Sequence, residues 1–131
     1  METAELNSPP AMRRILAFSA LVEAGTGVAL LVAPAFVLSL LMGAATAEGL
    51  PLGRCFGVAL LALAAACWPG PEPGGGAPAF RGLLSYNGLI ALYLAALGGT
   101  GQWRGLLLWP AMMLHALVAL ALILLWRRGA A

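Results

Sequence analysis

The chain has no aspartate and no lysine, and among its 131 residues it has one histidine and two cysteines. Each scarcity removes a chemistry. Without lysine there is no Gly-rich phosphate loop of the P-loop kind, and Gly74-Gly75-Gly76 is a weak substitute because it follows prolines, precedes Ala77-Pro78 and has no strand before it. No serine stands in a turn with a plausible histidine and acid, so classical soluble catalysis is not expected and no catalytic residue is assigned. Cys55 and Cys67 do not form a Cys-x-x-Cys motif. On one helix they would lie about 18 Å apart, beyond disulfide reach, and they read as small packing residues. A lone histidine with no companion ligands does not make a metal site, and no residue set calls for a cofactor. No basic run interleaved with aromatics suggests a nucleic-acid surface.

Charge of either sign is scarce. Charged residues make up 9% of the chain, against about 25% in an ordinary soluble domain, and hydrophobic residues make up 62%. This is the composition of a protein dissolved in lipid. Apolar runs of about 20 residues at ~1.5 Å rise cross a hydrocarbon core of ~30 Å, and the chain has room for four of them. The expected fold is all-α: a single-domain, integral membrane four-helix bundle.

The punctuation of the runs places the helices. Ser8-Pro9-Pro10 suits a helix entry, and the first helix is expected over 11–33, where Pro34 interrupts it. The apolar segment 35–42 is too short to span; it either extends a kinked first helix or, the favoured reading, forms a short interfacial helix. The second helix is expected over 50–68. It ends in Pro69-Gly70-Pro71-Glu72-Pro73-Gly74-Gly75-Gly76, a composition that reads as a flexible loop. The third is expected over 80–97, broken by Gly98-Gly99-Thr100-Gly101, and the fourth over 104–126, with Pro110 tolerated near its start. Arg13-Arg14 before an apolar stretch also suggests a secretory signal. The stretch 15–42 is far longer than the ~7–15 residues of a signal core, so it reads as a retained anchor.

With four crossings, Arg13, Arg14, Arg81, Arg127 and Arg128 fall on one side and Arg54 and Arg104 on the other. Positive residues concentrate in cytoplasmic segments, so both termini are expected in the cytoplasm. Trp68 and Trp126 then mark the inner interface, and Trp103 and Trp109 the outer one.

Each apolar run carries a residue that hydrocarbon penalises: Glu23, Arg54, Asn87 and His115. Such groups usually face a bundle interior or a wet cavity and find a partner. Counting inward at ~1.5 Å per residue from the ends that hold most arginines puts Asn87 at about 8 Å, Glu23 at about 13 Å, His115 at about 17 Å and Arg54 at about 21 Å. Glu23 has Ser19 four residues before it and Thr26 three after, so helix 1 carries a polar stripe. Gly25 and Gly27 flank that stripe and allow a neighbouring helix to come close. Two readings stand: a proton-carrying or cation-binding carboxylate, or a carboxyl kept only for packing. Arg54 is long enough to bend inward to Glu23 or to snorkel outward. Tyr93 shares a face with Tyr86 beside Asn87, where aromatic rings can line a pocket or simply pack. The candidate ligand or proton site is therefore Glu23, Arg54, His115, Asn87 and Tyr93, with no metal.

Gly27-Val28-Ala29-Leu30-Leu31 recurs as Gly57-Val58-Ala59-Leu60-Leu61. So small-apolar a composition repeats by chance, and no transporter-type duplication is inferred.

The segment Glu23-Ala24-Gly25-Thr26-Gly27-Val28-Ala29-Leu30 resembles the Glu-x-x-Gly-Gly-type segment of DoxX-like four-helix bacterial membrane proteins. That resemblance covers one short motif and the helix count. It implies a multi-pass protein of the bacterial inner membrane and names no activity. Small multidrug transporters also carry a membrane glutamate in helix 1, but this chain departs from them in the spacing after Glu23, in Arg54 and His115, and in the Pro/Gly loop. Two classes of function are compatible with these residues: a bundle that binds or transports a small molecule with proton exchange, and a structural or accessory subunit that meets a membrane-protein partner or a second copy of itself.

Overall fold

Pro34 divides the first apolar run in two. In the computed structural model, which describes residues 10–70 and 76–129, α1 spans Pro10–Val32 and α2 spans Pro34–Met42. Proline lacks an N–H and pushes the residue before it out of the helical region, and Ala33 accordingly sits at φ −136°, ψ 59°. Gly43, in the left-handed region at φ 88°, stops α2 by donating its N–H to the Ser39 carbonyl at 2.9 Å. Pro34–Met42 is thus a separate nine-residue helix and not a continuation of α1.

The other long helices are α3 (Gly49–Ala66), α4 (Gly76–Gly99) and α5 (Leu108–Gly129), with no strand among the described residues. Four of the five helices are long and apolar enough to cross a membrane, which fits a multi-pass membrane protein. Side chains such as Leu21, Val32, Leu52, Leu89, Leu92 and Leu117 point outward, an apolar exterior suited to lipid.

Two helix starts differ from the sequence expectation. α4 begins at Gly76 and not near residue 80, because Pro78 falls in its first turn, where a missing N–H costs no helix bond. The rest of the expected Pro/Gly loop, residues 71–75, lies outside the described residues, as do Ser8 and Pro9 before α1. α5 begins at Leu108 and not at residue 104, because the segment before it is bonded elsewhere: the Leu107 N–H donates to the Leu40 carbonyl of α2 at 2.8 Å.

Packing is in pairs. α1 lies mainly against α3, α4 mainly against α5, and α1 also touches α4 and α5, which joins the pairs. At one end of the bundle Met12, Leu16, Cys67, Ala79, Leu83, Val118 and Leu122 form a buried apolar cluster drawn from every long helix or its end. That end gathers Arg13, Arg14, Arg81, Arg127 and Arg128, while Arg54 and Arg104 belong to the opposite end.

Candidate functional site: a carboxyl, an amide and an imidazole between three helices

Where the two helix pairs meet, α1, α4 and α5 each contribute polar side chains to one buried layer. The four-residue spacing of Ser19 and Glu23 puts both on one face of α1, and both are almost fully covered, at 1% and 2% exposure. α4 contributes Asn87, 1% exposed, with Tyr86 beside it, and α5 contributes His115.

Asn87 organises the layer. Its Nδ2 donates to the Leu83 carbonyl one turn earlier at 2.8 Å and to Ser19 Oγ at 3.0 Å. A backbone carbonyl only accepts, so this contact fixes which end of the amide is nitrogen. Oδ1 then faces His115, 2.8 Å from Nδ1, and since Oδ1 also only accepts, Nδ1 must carry the proton and donate it. Three helices are tied through one amide.

Glu23 is placed differently. Its Oε1 lies 3.8 Å from His115 Nδ1, within ion-pair range but beyond a hydrogen bond, and the single Nδ1 proton is already directed at Asn87. Tyr86 flanks both groups: its hydroxyl lies beside the Glu23 carboxyl, and its ring meets the imidazole edge-on, with centroids 5.7 Å apart and planes at 83°. Among the described residues Glu23 Oε1 is nevertheless a buried oxygen with no hydrogen-bond partner. A buried, ionised and unpartnered carboxylate is expensive. That cost is removed if the carboxyl holds a proton, if the adjacent Tyr86 hydroxyl donates to it, or if a bound molecule does.

Of the residues expected in the site, the structure brings Glu23, Asn87 and His115 together. Arg54 and Tyr93 lie elsewhere. Arg54 is exposed, and its Nε points at the Leu31 carbonyl across a long contact of 3.5 Å. Leu31 is in the last turn of α1, where carbonyls have no helical partner and a cation is favoured, and it is about 12 Å along the axis from Glu23. Tyr93 stands 59% exposed, two turns beyond Tyr86. A spacing of seven keeps a helical face but changes the neighbours met along it.

Two members escaped the sequence reading of the site. Tyr86 precedes Asn87 and belongs to the layer, and Ser19 completes the Asn87 amide; both signals were present as the neighbours of the buried residues at i−1 and i−4. The earlier start of α4 also explains the alignment in depth. Four more residues before Asn87 lower it by about 6 Å, to the level of Glu23.

Among the described residues no group of three or more His, Cys, Asp or Glu could hold a metal ion. Cys55 is exposed and Cys67 buried, and both are free thiols. In comparisons with protein-family models, curated proteins and solved structures, the chain matches none.

Proposed function

We propose that this protein is a membrane-embedded binding or transport bundle in which Glu23 and His115 exchange a proton or hold a polar group of a small molecule, with Asn87 and Tyr86 orienting them. The observation that carries this reading is the buried Glu23 Oε1, which has no hydrogen-bond partner among the described residues. A residue kept only for packing would be expected to have both carboxyl oxygens bonded, as the Asn87 amide has its hydrogens bonded. The imidazole 3.8 Å away supplies the second group needed to pass a proton. Arg54 has no part in this chemistry; its contact with Leu31 supports a role at the end of α1.

Orientation and compartment belong to the same proposal. The arginine-rich end faces the cytoplasm, so that both termini lie inside a bacterial inner membrane, and the chain is kin to DoxX-like four-helix proteins. The support is the distribution of arginines and the motif at Glu23.

The test uses liposomes loaded with a pH-sensitive dye and an imposed pH gradient. Wild-type protein should dissipate the gradient faster than empty liposomes, and Glu23→Gln should fall to the empty rate while remaining folded. A second reading, that of an accessory subunit, is favoured by the bonding of Asn87, which locks three helices whether or not Glu23 titrates. It expects wild type and Glu23→Gln to match empty liposomes alike.

A further inference from the structure

A groove of about 400 Å³ opens between the beginning of α1 and the end of α5, at the arginine-rich end of the bundle and away from the buried polar layer. It is lined by Ala11, Ile15, Ala121, Leu124 and Leu125 together with Arg14 and Arg128, and Ile15, Ala121, Leu124 and Leu125 lie further into the bundle than the arginine of their own helix. The groove is shallow and open along the outer surface of the bundle, a shape that suits a molecule lying alongside the helices. The chemistry is split: hydrocarbon below, two guanidiniums above.

Two exposed cations brought to one groove repel each other, and among the described residues lining it there is no carboxylate to offset them. The positive end of the α1 dipole and the negative end of the α5 dipole lie at the same level and offset each other, so the charge of the groove is that of its two guanidiniums. Exposed Trp68 and Trp126, also at this end, mark the depth at which headgroups meet hydrocarbon. A ligand complementary to the groove therefore has a phosphate at headgroup height and an acyl chain running inward beneath it. We infer that the groove between α1 and α5 binds one anionic phospholipid, its phosphate held by Arg14 and Arg128 and one acyl chain laid along Ile15, Ala121 and Leu125. Guanidinium suits this better than ammonium because its planar donors engage two phosphate oxygens at once.

Native mass spectrometry of the full-length protein, released from micelles doped with equal amounts of phosphatidylglycerol and phosphatidylcholine, tests this directly. The wild type should retain one phosphatidylglycerol in preference to phosphatidylcholine. Arg14→Gln with Arg128→Gln should lower that preference roughly 30-fold, the order expected for two arginines near an anionic headgroup. Arg13→Gln with Arg127→Gln removes the same charge one residue away from the groove and should leave the preference largely intact. Ala121→Trp keeps both cations but fills the floor, and should reduce retention of either lipid. Equal loss in the two arginine pairs would overturn the proposal by showing only diffuse attraction to anionic lipid. So would displacement of the lipid by millimolar inorganic phosphate, or a lipid-free dimer that covers the groove.

Discussion

The contact of α1 with α3 and its contact with α4 and α5 solve one problem in opposite ways. In lipid the hydrophobic effect does not press helices together, so association rests on close van der Waals packing and on interhelical hydrogen bonds. The α1–α3 seam uses the first. A Cβ placed on Gly27 would lie 2.8 Å from the Gly57 carbonyl oxygen, and one placed on Gly57 would lie 2.8 Å from that of Gly27. The repeated Gly-Val-Ala-Leu-Leu segments thus face each other almost symmetrically, with Leu30 and Leu60 buried beside the glycines. The junction of α1 with α4 and α5 uses the second, through Ser19, Asn87 and His115. The seam is closed mainly by size, its polar contact being the long one from Arg54 to the Leu31 carbonyl at the end of α1. The junction holds a carboxyl oxygen with no hydrogen-bond partner among the described residues. Substitutions in the seam should therefore act on the fold, and substitutions in the junction should divide between fold and chemistry.

The largest effect is expected from breaking the seam. Gly27→Leu inserts a side chain where the Gly57 backbone stands, and overpacking of this kind costs on the order of 3 kcal/mol. Reversible unfolding in mixed micelles should show that loss, and a variant as stable as wild type would mean that α1 and α3 do not approach this closely. Asn87→Leu should cost less, about 1–2 kcal/mol, because it removes the bonds to Ser19 and His115 but keeps the branching and the number of side-chain heavy atoms. The same unfolding curves read it, and a loss equal to that of Gly27→Leu would erase the distinction between the two regions. Arg54→Gln should change stability least, by ~0.3–1 kcal/mol, as expected for a cation at a helix end, and should leave proton exchange as in wild type. Loss of that exchange would return Arg54 to the site.

These regions also differ in how far the sequence exposes them. The all-helical, membrane-spanning character follows from long apolar runs cut by Pro34 and Pro69, signals that act locally on the backbone. Gly98-Gly99 is expected to end the third run, but α4 continues through both and stops only at the Thr100-Gly101 turn, where Gly101 has φ 69°. The start of α5 is not local: it depends on residue 107 bonding to residue 40, a contact without trace in the sequence around Arg104. Glu23, Asn87 and His115 are conspicuous because hydrocarbon penalises each of them, so composition alone singles them out. Their pairing is another matter. Depth along a helix can be counted, but the direction a side chain faces depends on which helices are neighbours. Arg54 is long enough to reach back toward Glu23 yet turns to the end of α1, while His115 on the last helix comes to 3.8 Å. The recurring Gly-Val-Ala-Leu-Leu segment looked like coincidence in the sequence and acquires its role only when α1 and α3 lie side by side.

Whether Glu23 changes its protonation state is the question on which the functional proposal rests. Infrared difference spectroscopy on the protein in lipid, titrated between about pH 4 and pH 10 and compared with Glu23→Gln, observes the carboxyl stretch itself. A buried proton-exchanging group should give a protonated-carboxyl band that fades as pH rises, is absent from Glu23→Gln and shifts in His115→Gln. A band that belongs to Glu23 but stays unchanged across the whole range would mean a permanently neutral, structural carboxyl, and would contradict proton exchange at this site.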